Sequence, residues 1–490
     1  MAERPNILFL FSDQHAQRVA GCYGDGIAET PALDGLAAAG VTFDACHTPS
    51  PICGPARMSM LTGREPNDTR VWTNNDMLPS DMPTYAHALT AAGYETISIG
   101  RLHALGPDQH RGFTTRLVGD HSPNWPGVAR HDMGVLSKTH GPNRVSVERS
   151  GRGNSAYQSL DEATLEAALA QLDQLGERRQ AGDAAPFFLQ VGFMLPHPPY
   201  VARPEDYDRF EGRVPPAAIP APDDPHPWVD WWRRVRGVAD VTKAEAARSR
   251  AAYYALVRRM DLHIGRILDR LAALGLSEDT LVVYASDHGD HIGERGLWWK
   301  HTMYDDSVKV PLLLRWPGRI PAGARRGENV GLLNVTAAFL EAAGAPPLPN
   351  SSADSLLSLA RGTAEDWADT VVSEYCANPE EAYSGGRWTL QRMVRTGPWK
   401  YIWHDGFPEQ LFDMQADPEE RHDLAGDPGQ SDRLAQFRDR ALAGWNPEAI
   451  RAAMAARARD RELLCRWAGA APPRDALRWE FPPDINRLDG

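Results

Sequence analysis

Four nearly continuous apolar runs recur along the chain, and each of them ends in polar residues. The runs cover residues 6–11, 94–100, 187–193 and 280–286. Because polar and apolar positions do not alternate within them, they predict strands that are buried on both faces. Open α/β sheets bind their ligands at the carboxyl ends of such strands. We therefore expect the polar residues that follow the runs to meet at one edge of a sheet.

Segments with helical spacing of apolar residues lie between the predicted strands. They cover residues 31–40, 83–93, 159–176 and 242–275. Alternation of strands and helices predicts an α/β fold, with a large, mostly parallel sheet flanked by helices. The long irregular segments at 106–153 and 204–227 are typical of functional loops.

The pattern changes near residue 376. Short apolar runs at 388–394, 399–403 and 410–414 are joined by turns, and a helix is predicted over 431–445. We therefore predict two units. Residues 1–375 form the α/β domain that carries the chemistry, and residues 376–490 form a smaller α+β subdomain with a short antiparallel sheet.

A cysteine stands at the start of a further predicted helix, within residues 50–64. Pro55 suits the first helical turn, and Gly63 is placed to end the helix. Free N–H groups and the macrodipole favour an anion at such a helix start, and Arg57 adds positive charge one turn further on. A cysteine in this setting is suited to act as a nucleophile on a sulfate or phosphate group, which makes Cys53 a candidate nucleophile. A lone cysteine before a helix is also typical of a small buried apolar residue.

The composition of the chain argues against several classes of function. The chain has 490 residues and a formal net charge of −13, which argues against a nucleic-acid binder and against a protein of anionic membrane surfaces. The longest apolar run is too short to span a membrane, and no secretory leader is recognisable, so we expect a cytoplasmic protein. The five cysteines are scattered, and their spacing predicts neither a disulfide framework nor a zinc site. The sequence leaves open whether the protein forms a homo-oligomer.

Acidic, amide and imidazole side chains follow the first and fourth apolar runs. Asp13 and Gln14 come after one, and Asp287 and His288 after the other. Two carboxylates and an amide oxygen suit a hard divalent cation, for which Ca²⁺ is favoured and Mg²⁺ or Mn²⁺ are alternatives. His288 offers nitrogen, so it either binds the metal or contacts the substrate or the nucleophile. Each pair taken alone is also typical of a turn or a helix N-cap.

The segment from Cys53 to Gly63 resembles the sulfatase signature, in which cysteine, proline and arginine alternate with other residues and are followed by Leu-Thr-Gly. Further segments resemble the family's motifs at 7–14, 100–103, 196–200, 286–300, 394–401 and 411–414. The resemblance implies an alkaline-phosphatase-like fold. It also implies that a formylglycine-generating enzyme oxidises Cys53 to formylglycine (3-oxoalanine), and that this residue shares a divalent metal with the acidic strand ends.

The resemblance also implies the roles of individual residues. One hydroxyl of the hydrated formylglycine attacks sulfur with help from the metal and Asp287, while Arg57 and Lys300 hold the sulfuryl oxygens. His197 or Lys300 then protonates the departing alkoxide. His103 takes a proton from the second hydroxyl, so that sulfate is expelled.

Two positions depart from the family pattern. Arg101 stands where the family has a lysine; it supplies positive charge but is poorly suited to proton transfer. Gln14 stands where a second aspartate is more usual, which lowers the ligand charge by one.

The substrate is less well defined by the motifs. Several segments look most like choline sulfatases, and a quaternary ammonium would need an aromatic cage or a carboxylate. Candidate binding residues are Asn74 and Trp125, with Trp72 and Asp120 nearby in the chain. Other segments are equally similar to phosphonate and phosphate monoester hydrolases. We expect hydrolysis of a small sulfate monoester, either choline sulfate-like or an aryl or alkyl sulfate. The alternatives are a phosphonate or phosphate monoester hydrolase and a non-catalytic anion-binding relative with unmodified Cys53.

Overall fold

The computed structural model describes residues 4–182, 185–351, 353–381, 384–475 and 477–489. Its strands are β1 (Asn6–Asp13), β2 (Val41–His47), β3 (Glu95–Gly100), β4 (Thr115–Leu117), β5 (Gly151–Asn154), β6 (Phe187–Pro196), β7 (Val201–Ala202), β8 (Thr280–Ser286), β9 (Lys309–Val310), β10 (Leu312–Arg315), β11 (Ala324–Gly331), β12 (Thr370–Ala377), β13 (Thr389–Thr396), β14 (Trp399–His404), β15 (Gln410–Asp413) and β16 (Arg487–Leu488). Its helices are α1 (Pro31–Ala38), α2 (Cys53–Thr62), α3 (Pro66–Thr69), α4 (Tyr85–Ala91), α5 (Val145–Glu148), α6 (Ala156–Gln180), α7 (Pro204–Tyr207), α8 (Pro227–Val235), α9 (Lys243–Ala273), α10 (Asp305–Val308), α11 (Leu332–Ala343), α12 (Leu357–Arg361), α13 (Ser431–Leu442) and α14 (Pro447–Ala470).

The main sheet confirms the predicted α/β class. Its strand order is β11-β2-β10-β8-β1-β6-β3-β4, and β9 pairs with β2. The central strands β8, β1, β6 and β3 are parallel, as are β3 with β4 and β11 with β2, whereas β10 is antiparallel to both of its neighbours. The four predicted strands are therefore the four adjacent strands at the centre of the sheet.

Helices cover both faces of this sheet, so its central strands are buried on both sides. All eight residues of β1 are buried. Phe9 belongs to the core layer that contains Phe339 of α11, whereas Leu8 belongs to the layer that contains Met260 of α9. Because successive side chains of a strand point to opposite faces, a continuous apolar run is what such a strand requires.

Glycines allow β3 and β6 to approach closely where the polar residues begin. A Cβ on Gly192 would lie 2.0 Å from the carbonyl oxygen of Arg101, and Gly100 adopts a φ of +77°. Neither position accommodates a side chain without a shift of the backbone. This contact sets where Arg101 leaves the sheet.

The C-terminal part contains the predicted antiparallel sheet, with the order β12-β13-β14-β15. The boundary drawn at residue 376 falls inside β12, because that strand already begins at Thr370. After α14, the chain returns to the larger unit, where β16 pairs with β5. Arg487 and Leu488 therefore pair with a strand of the α/β domain, although they lie in the part of the chain assigned to the smaller subdomain.

Most predicted elements are present with small shifts of their ends. The helices predicted at 159–176 and 242–275 are α6 and α9, and Thr242 caps α9 through a reciprocal pair of hydrogen bonds with Glu245. Strands β2, β10 and β11 and helix α14 were not predicted. Among the described residues, no helix has both the length and the apolar character that a membrane crossing requires.

Candidate active site

The central strands of the main sheet deliver polar residues to one edge. Asp287 follows β8, Asp13 ends β1, His197 follows β6 and Arg101 follows β3, in the order in which these strands lie side by side. The N-terminus of α2 brings Cys53 to the same edge, where its Sγ lies 3.6 Å from Asp13 Oδ1. Residues distant in sequence thus share one buried site.

Cys53 is the first residue of α2 and is 1% exposed. Its Sγ accepts a hydrogen bond from Lys300 Nζ at 3.0 Å and lies 3.1 Å from His288 Nε2. Burial, followed by the charge of Asp13, raises the pKa of the thiol to about 11, although Lys300 acts in the opposite direction. Unmodified Cys53 is therefore a neutral thiol near pH 7, despite its place at a helix start.

Arg57 binds the carboxylates of the site. Its Nε donates to Asp287 Oδ2 at 2.8 Å, and its Nη2 lies 3.4 Å from Asp13 Oδ2. Its terminal nitrogens also donate to the backbone carbonyls of Ser12 and Arg101. All three guanidinium nitrogens have acceptors within the protein, and the predicted contact of Arg57 with sulfuryl oxygens stays a prediction. Arg57 orients the two carboxylates.

The donor set of the site fits a divalent cation. One ligand atom each of Asp13, Cys53, Asp287 and His288 lies within 4.8 Å of the others. Arginines hold the Oδ2 atoms of both carboxylates, so the Oδ1 atoms are left to face the cluster. Burial alone would raise the pKa of Asp13, but Arg101 and the other positive groups outweigh it and hold this pKa well below its usual range. Ionised carboxylate oxygens are the ligands that hard cations prefer.

His288 presents a lone pair to this cluster. Its Nδ1 lies 3.1 Å from the carbonyl oxygen of Gly289, which can only accept, so Nδ1 carries the proton. Burial lowers the pKa of His288 to about 4, so the ring is neutral at pH 7 and Nε2 is an acceptor. A neutral imidazole held in this way is a suitable metal ligand.

Gln14 is held between two charged side chains. Its Oε1 accepts a hydrogen bond from Lys300 Nζ at 2.7 Å, and its Nε2 donates to Asp290 Oδ2 at 2.7 Å. Its backbone adopts a φ of +68°, which is uncommon for a residue other than glycine and typical of functional sites. Asp290 therefore fixes which end of the amide faces the cluster. The predicted role of Gln14 as a metal ligand stays a prediction.

Arg101, His103 and Asp120 form a second group beside the carboxylates. Arg101 Nε donates to Asp13, and its Nη2 donates to His103 Nδ1 at 3.0 Å. The carboxylate of Asp120 accepts the backbone N–H of His103 at 3.0 Å and a hydrogen bond from Arg116 at 2.6 Å. Because Nδ1 of His103 accepts, the proton of the neutral ring lies on Nε2.

His197 has the opposite tautomer. Its Nδ1 lies 2.7 Å from the carbonyl oxygen of Pro198 and therefore donates to it. Burial, followed by the charge of Lys300, holds the pKa of His197 well below its usual range. The neutral ring consequently offers Nε2 as an acceptor.

A pocket opens above Cys53. Its lining includes the predicted site residues Gln14, Asn74, Arg101, His103, Trp125, His197 and Lys300. Asn74 Oδ1 accepts the backbone N–H of Gly54 at 2.8 Å, so it ties the pocket wall to the start of α2. Trp72 does not line the pocket, because it packs against Trp445 in the C-terminal core.

Several contributors were not found from sequence. Asp290 orients Gln14, and Asp161 Oδ1 and Oδ2 accept the backbone N–H groups of Met194 and Leu195 just before His197. The signal for Asp290 was present, since it lies in the run Asp287-His288-Gly289-Asp290. Asp161 lies within α6 and carries no local signal.

Comparisons with known proteins show the family to which the chain belongs. A family model described as Sulfatase matches residues 5–345, and one described as N-sulphoglucosamine sulphohydrolase, C-terminal, matches residues 293–443. The chain is 35% identical over 470 residues to a choline-sulfatase of Rhizobium meliloti (strain 1021), covering 92% of this chain and 89% of the relative. It is 29% identical to arylsulfatase K of Rattus norvegicus, covering 87% and 75%. The crystal structure of a phosphonate monoester hydrolase of Agrobacterium radiobacter superposes with a TM-score of 0.74 at 22% identity, covering 92% and 96%, which shows a shared fold.

Proposed function

The chain belongs to the sulfatase family of sulfuric ester hydrolases, and we propose that it cleaves a small sulfate monoester through a formylglycine formed at position 53. The observation that carries this proposal is the contact set of Cys53. Its Sγ lies beside Lys300, His288 and Asp13, so a reactive group at this position would be surrounded by proton donors, acceptors and metal ligands.

Asp13, Asp287, His288 and residue 53 would hold a divalent cation, with Gln14 beside them. Such a cation polarises a bound oxygen and offsets negative charge on the sulfuryl group. Arg57 holds the carboxylate of Asp287 and Arg101 holds that of Asp13, so that both are oriented toward the cluster. The identity of the cation is proposed as Ca²⁺, since the oxygen donors favour it.

Lys300 is the proposed proton donor to the leaving group. Its ammonium group has three N–H bonds, and these meet Gln14 Oε1, Cys53 Sγ and His288 Nε2 at 2.7, 3.0 and 3.0 Å. Since His197 Nδ1 already donates to a carbonyl, the neutral His197 ring has no proton to give at Nε2. The hydrogen bonds therefore favour Lys300 over His197 for this step.

The hydrogen bonds give both histidines roles in this proposal that differ from the predicted ones. His103 was predicted to accept a proton from the second hydroxyl, but its Nδ1 is occupied by Arg101 and its Nε2 carries the proton. His197 Nε2 carries a lone pair and is the better acceptor. We assign His197 as the base and His103 as a hydrogen-bond donor to the sulfuryl group.

A sulfate-release assay combined with mass spectrometry tests the proposal. The protein is produced with and without a formylglycine-generating enzyme, and the peptide that contains Cys53 is analysed for the loss of sulfur and two hydrogens and the gain of one oxygen. Sulfate release from 4-nitrophenyl sulfate should rise in proportion to the converted fraction, and Cys53→Ala should release none. Activity that is independent of conversion, or a stronger activity on an aryl phosphonate, would contradict the proposal.

A further inference from the structure

The outer wall of the pocket lies on the irregular segment between β4 and β5, away from the sulfuryl site. Trp125, Arg130 and His140 line the pocket there; we call these three residues the outer wall. Helix α14 packs against this wall, since the ring of Trp467 lies edge-on to the ring of Trp125 with 5.2 Å between the ring centroids. Among the described residues, none of these three hydrogen-bonds to Cys53, whose partners are Asp13, His288 and Lys300, so the wall is available to the alcohol part of a substrate.

The outer wall carries polar groups that have no partner within the described part of the protein. Arg130 is exposed, and among the described residues it forms neither a hydrogen bond nor an ion pair. The buried Nε1 of Trp125 and the buried Nδ1 of His140 also lack hydrogen-bond partners. Burial, followed by the charge of Arg130, lowers the pKa of His140 to about 4, so the His140 ring is neutral near pH 7. Buried polar atoms are rarely left unpaired, so the two buried atoms, next to an unpaired exposed cation on the same wall, indicate a polar ligand that carries acceptors.

No free acidic group balances these donors. Among the described residues that line the pocket, the positively charged side chains are Arg101, Arg130 and Lys300, and the one acidic side chain is Asp120. The carboxylate of Asp120 is already bound by Arg116 and by the backbone of His103. A cationic alcohol such as choline would find aromatic rings here but no unpaired carboxylate, and it would meet repulsion from the charge of Arg130.

We propose that the outer wall selects sulfate esters whose alcohol carries a second anionic group, such as a carboxylate. This inference rests on the proposed function, since it concerns the alcohol that is released from the same site. The Arg130 guanidinium pairs with the carboxylate, the indole N–H of Trp125 donates to it, and the imidazole of His140 adopts the tautomer that donates to it. The aromatic rings of Trp125 and Tyr157 line the space that the body of the alcohol occupies.

Two matched aryl esters test the inference. The sulfate esters of 4-hydroxybenzoate and 4-hydroxybenzamide have nearly the same shape but differ by one negative charge. The carboxylate is the weaker electron-withdrawing group, so leaving-group quality works against the expected preference. We expect kcat/KM for the benzoate ester to exceed that for the benzamide ester by roughly tenfold at low salt, because one charge-assisted contact distinguishes them. The ratio should decrease as ionic strength rises, since Arg130 is exposed.

Variants separate the inference from the proposed function. Arg130→Gln should lower the benzoate-to-benzamide ratio to one or below, because leaving-group quality then favours the benzamide ester, and Arg130→Lys should retain part of the wild-type ratio. The matched control Arg319→Gln, an exposed arginine that does not line the pocket, should keep the wild-type ratio. If both esters are cleaved with a ratio near one, or if choline sulfate is cleaved faster than the benzoate ester, the inference is overturned while the sulfatase activity stands. If the converted enzyme cleaves none of the esters, the proposed function fails.

Discussion

Removal of the Lys300 ammonium group should slow the cleavage of alkyl sulfates far more than that of activated aryl sulfates. Lys300 is 5% exposed and donates three hydrogen bonds of 2.7 to 3.0 Å within the site. An alkoxide needs a proton as it leaves, whereas 4-nitrophenolate needs almost none. The protonation and the electrostatic contact are thus both lost for an alkyl ester, but only the contact is lost for the nitrophenyl ester.

The expected magnitudes follow from these two contributions. General acid catalysis typically accelerates a reaction by about 10² to 10⁴, and one buried donor to a developing charge contributes roughly 10² to 10³ in kcat. For Lys300→Ala we therefore expect kcat on 4-nitrophenyl sulfate to fall by about 10². On an alkyl sulfate it should fall by at least a further ~10².

The assay is sulfate release by the converted enzyme from a series of esters with leaving groups of increasing pKa. The slope of log kcat against that pKa should become steeper in Lys300→Ala. Lys243→Ala, at the start of α9, is the matched control and should keep the wild-type slope. If Lys300→Ala lowers kcat equally for every ester, while His197→Asn steepens the slope, then His197 is the proton donor and our reading of the hydrogen bonds is refuted.

Two further predictions concern the fold around the site. Gly192→Ala places a Cβ 2.0 Å from the carbonyl oxygen of Arg101, so it should lower the free energy of unfolding by about 1–3 kcal/mol and reduce kcat. The control Gly327→Ala has open space around the new Cβ and should change neither quantity. Denaturant unfolding and sulfate release, measured for both variants, check this. Burial raises the pKa of the Glu374 carboxyl to about 8, so the folded protein binds this proton more tightly than the unfolded chain does. The contribution of Glu374 to the free energy of unfolding is therefore largest below its unfolded pKa and is lost as pH rises toward 8. Glu374→Gln should consequently raise the Tm relative to wild type more at pH 8 than at pH 5, and an equal Tm difference at both pH values would contradict that assignment.

Local sequence patterns were sufficient to predict the centre of the fold. The runs that became β1, β3, β6 and β8 are buried on both faces, so their composition alone identifies them as strands. The helix start at Cys53 carried its own signals in Pro55 and Gly63. Strands such as β10 are too short to show a period, and α14 was not identified.

The partners of the site residues could not be predicted in the same way. Arg57 donates a hydrogen bond to Asp287, which lies 230 residues away in the chain. No local sequence pattern distinguishes this contact from one with a sulfuryl oxygen. The tautomers of His103 and His197 depend on single carbonyl or guanidinium neighbours that only the folded chain brings close. Asp120 was considered for a cationic ligand, but Arg116 and the His103 backbone already occupy its carboxylate.

The central claim is that distant strand ends gather to hold one cation beside residue 53. Metal analysis of the purified protein tests it most directly, with wild type compared with the isosteric variants Asp13→Asn and Asp287→Asn. We predict one equivalent of a divalent metal per wild-type chain, and strongly reduced occupancy in both variants although they remain folded by circular dichroism. A wild-type enzyme that is active with no bound metal, or variants that retain a full equivalent, would contradict the account.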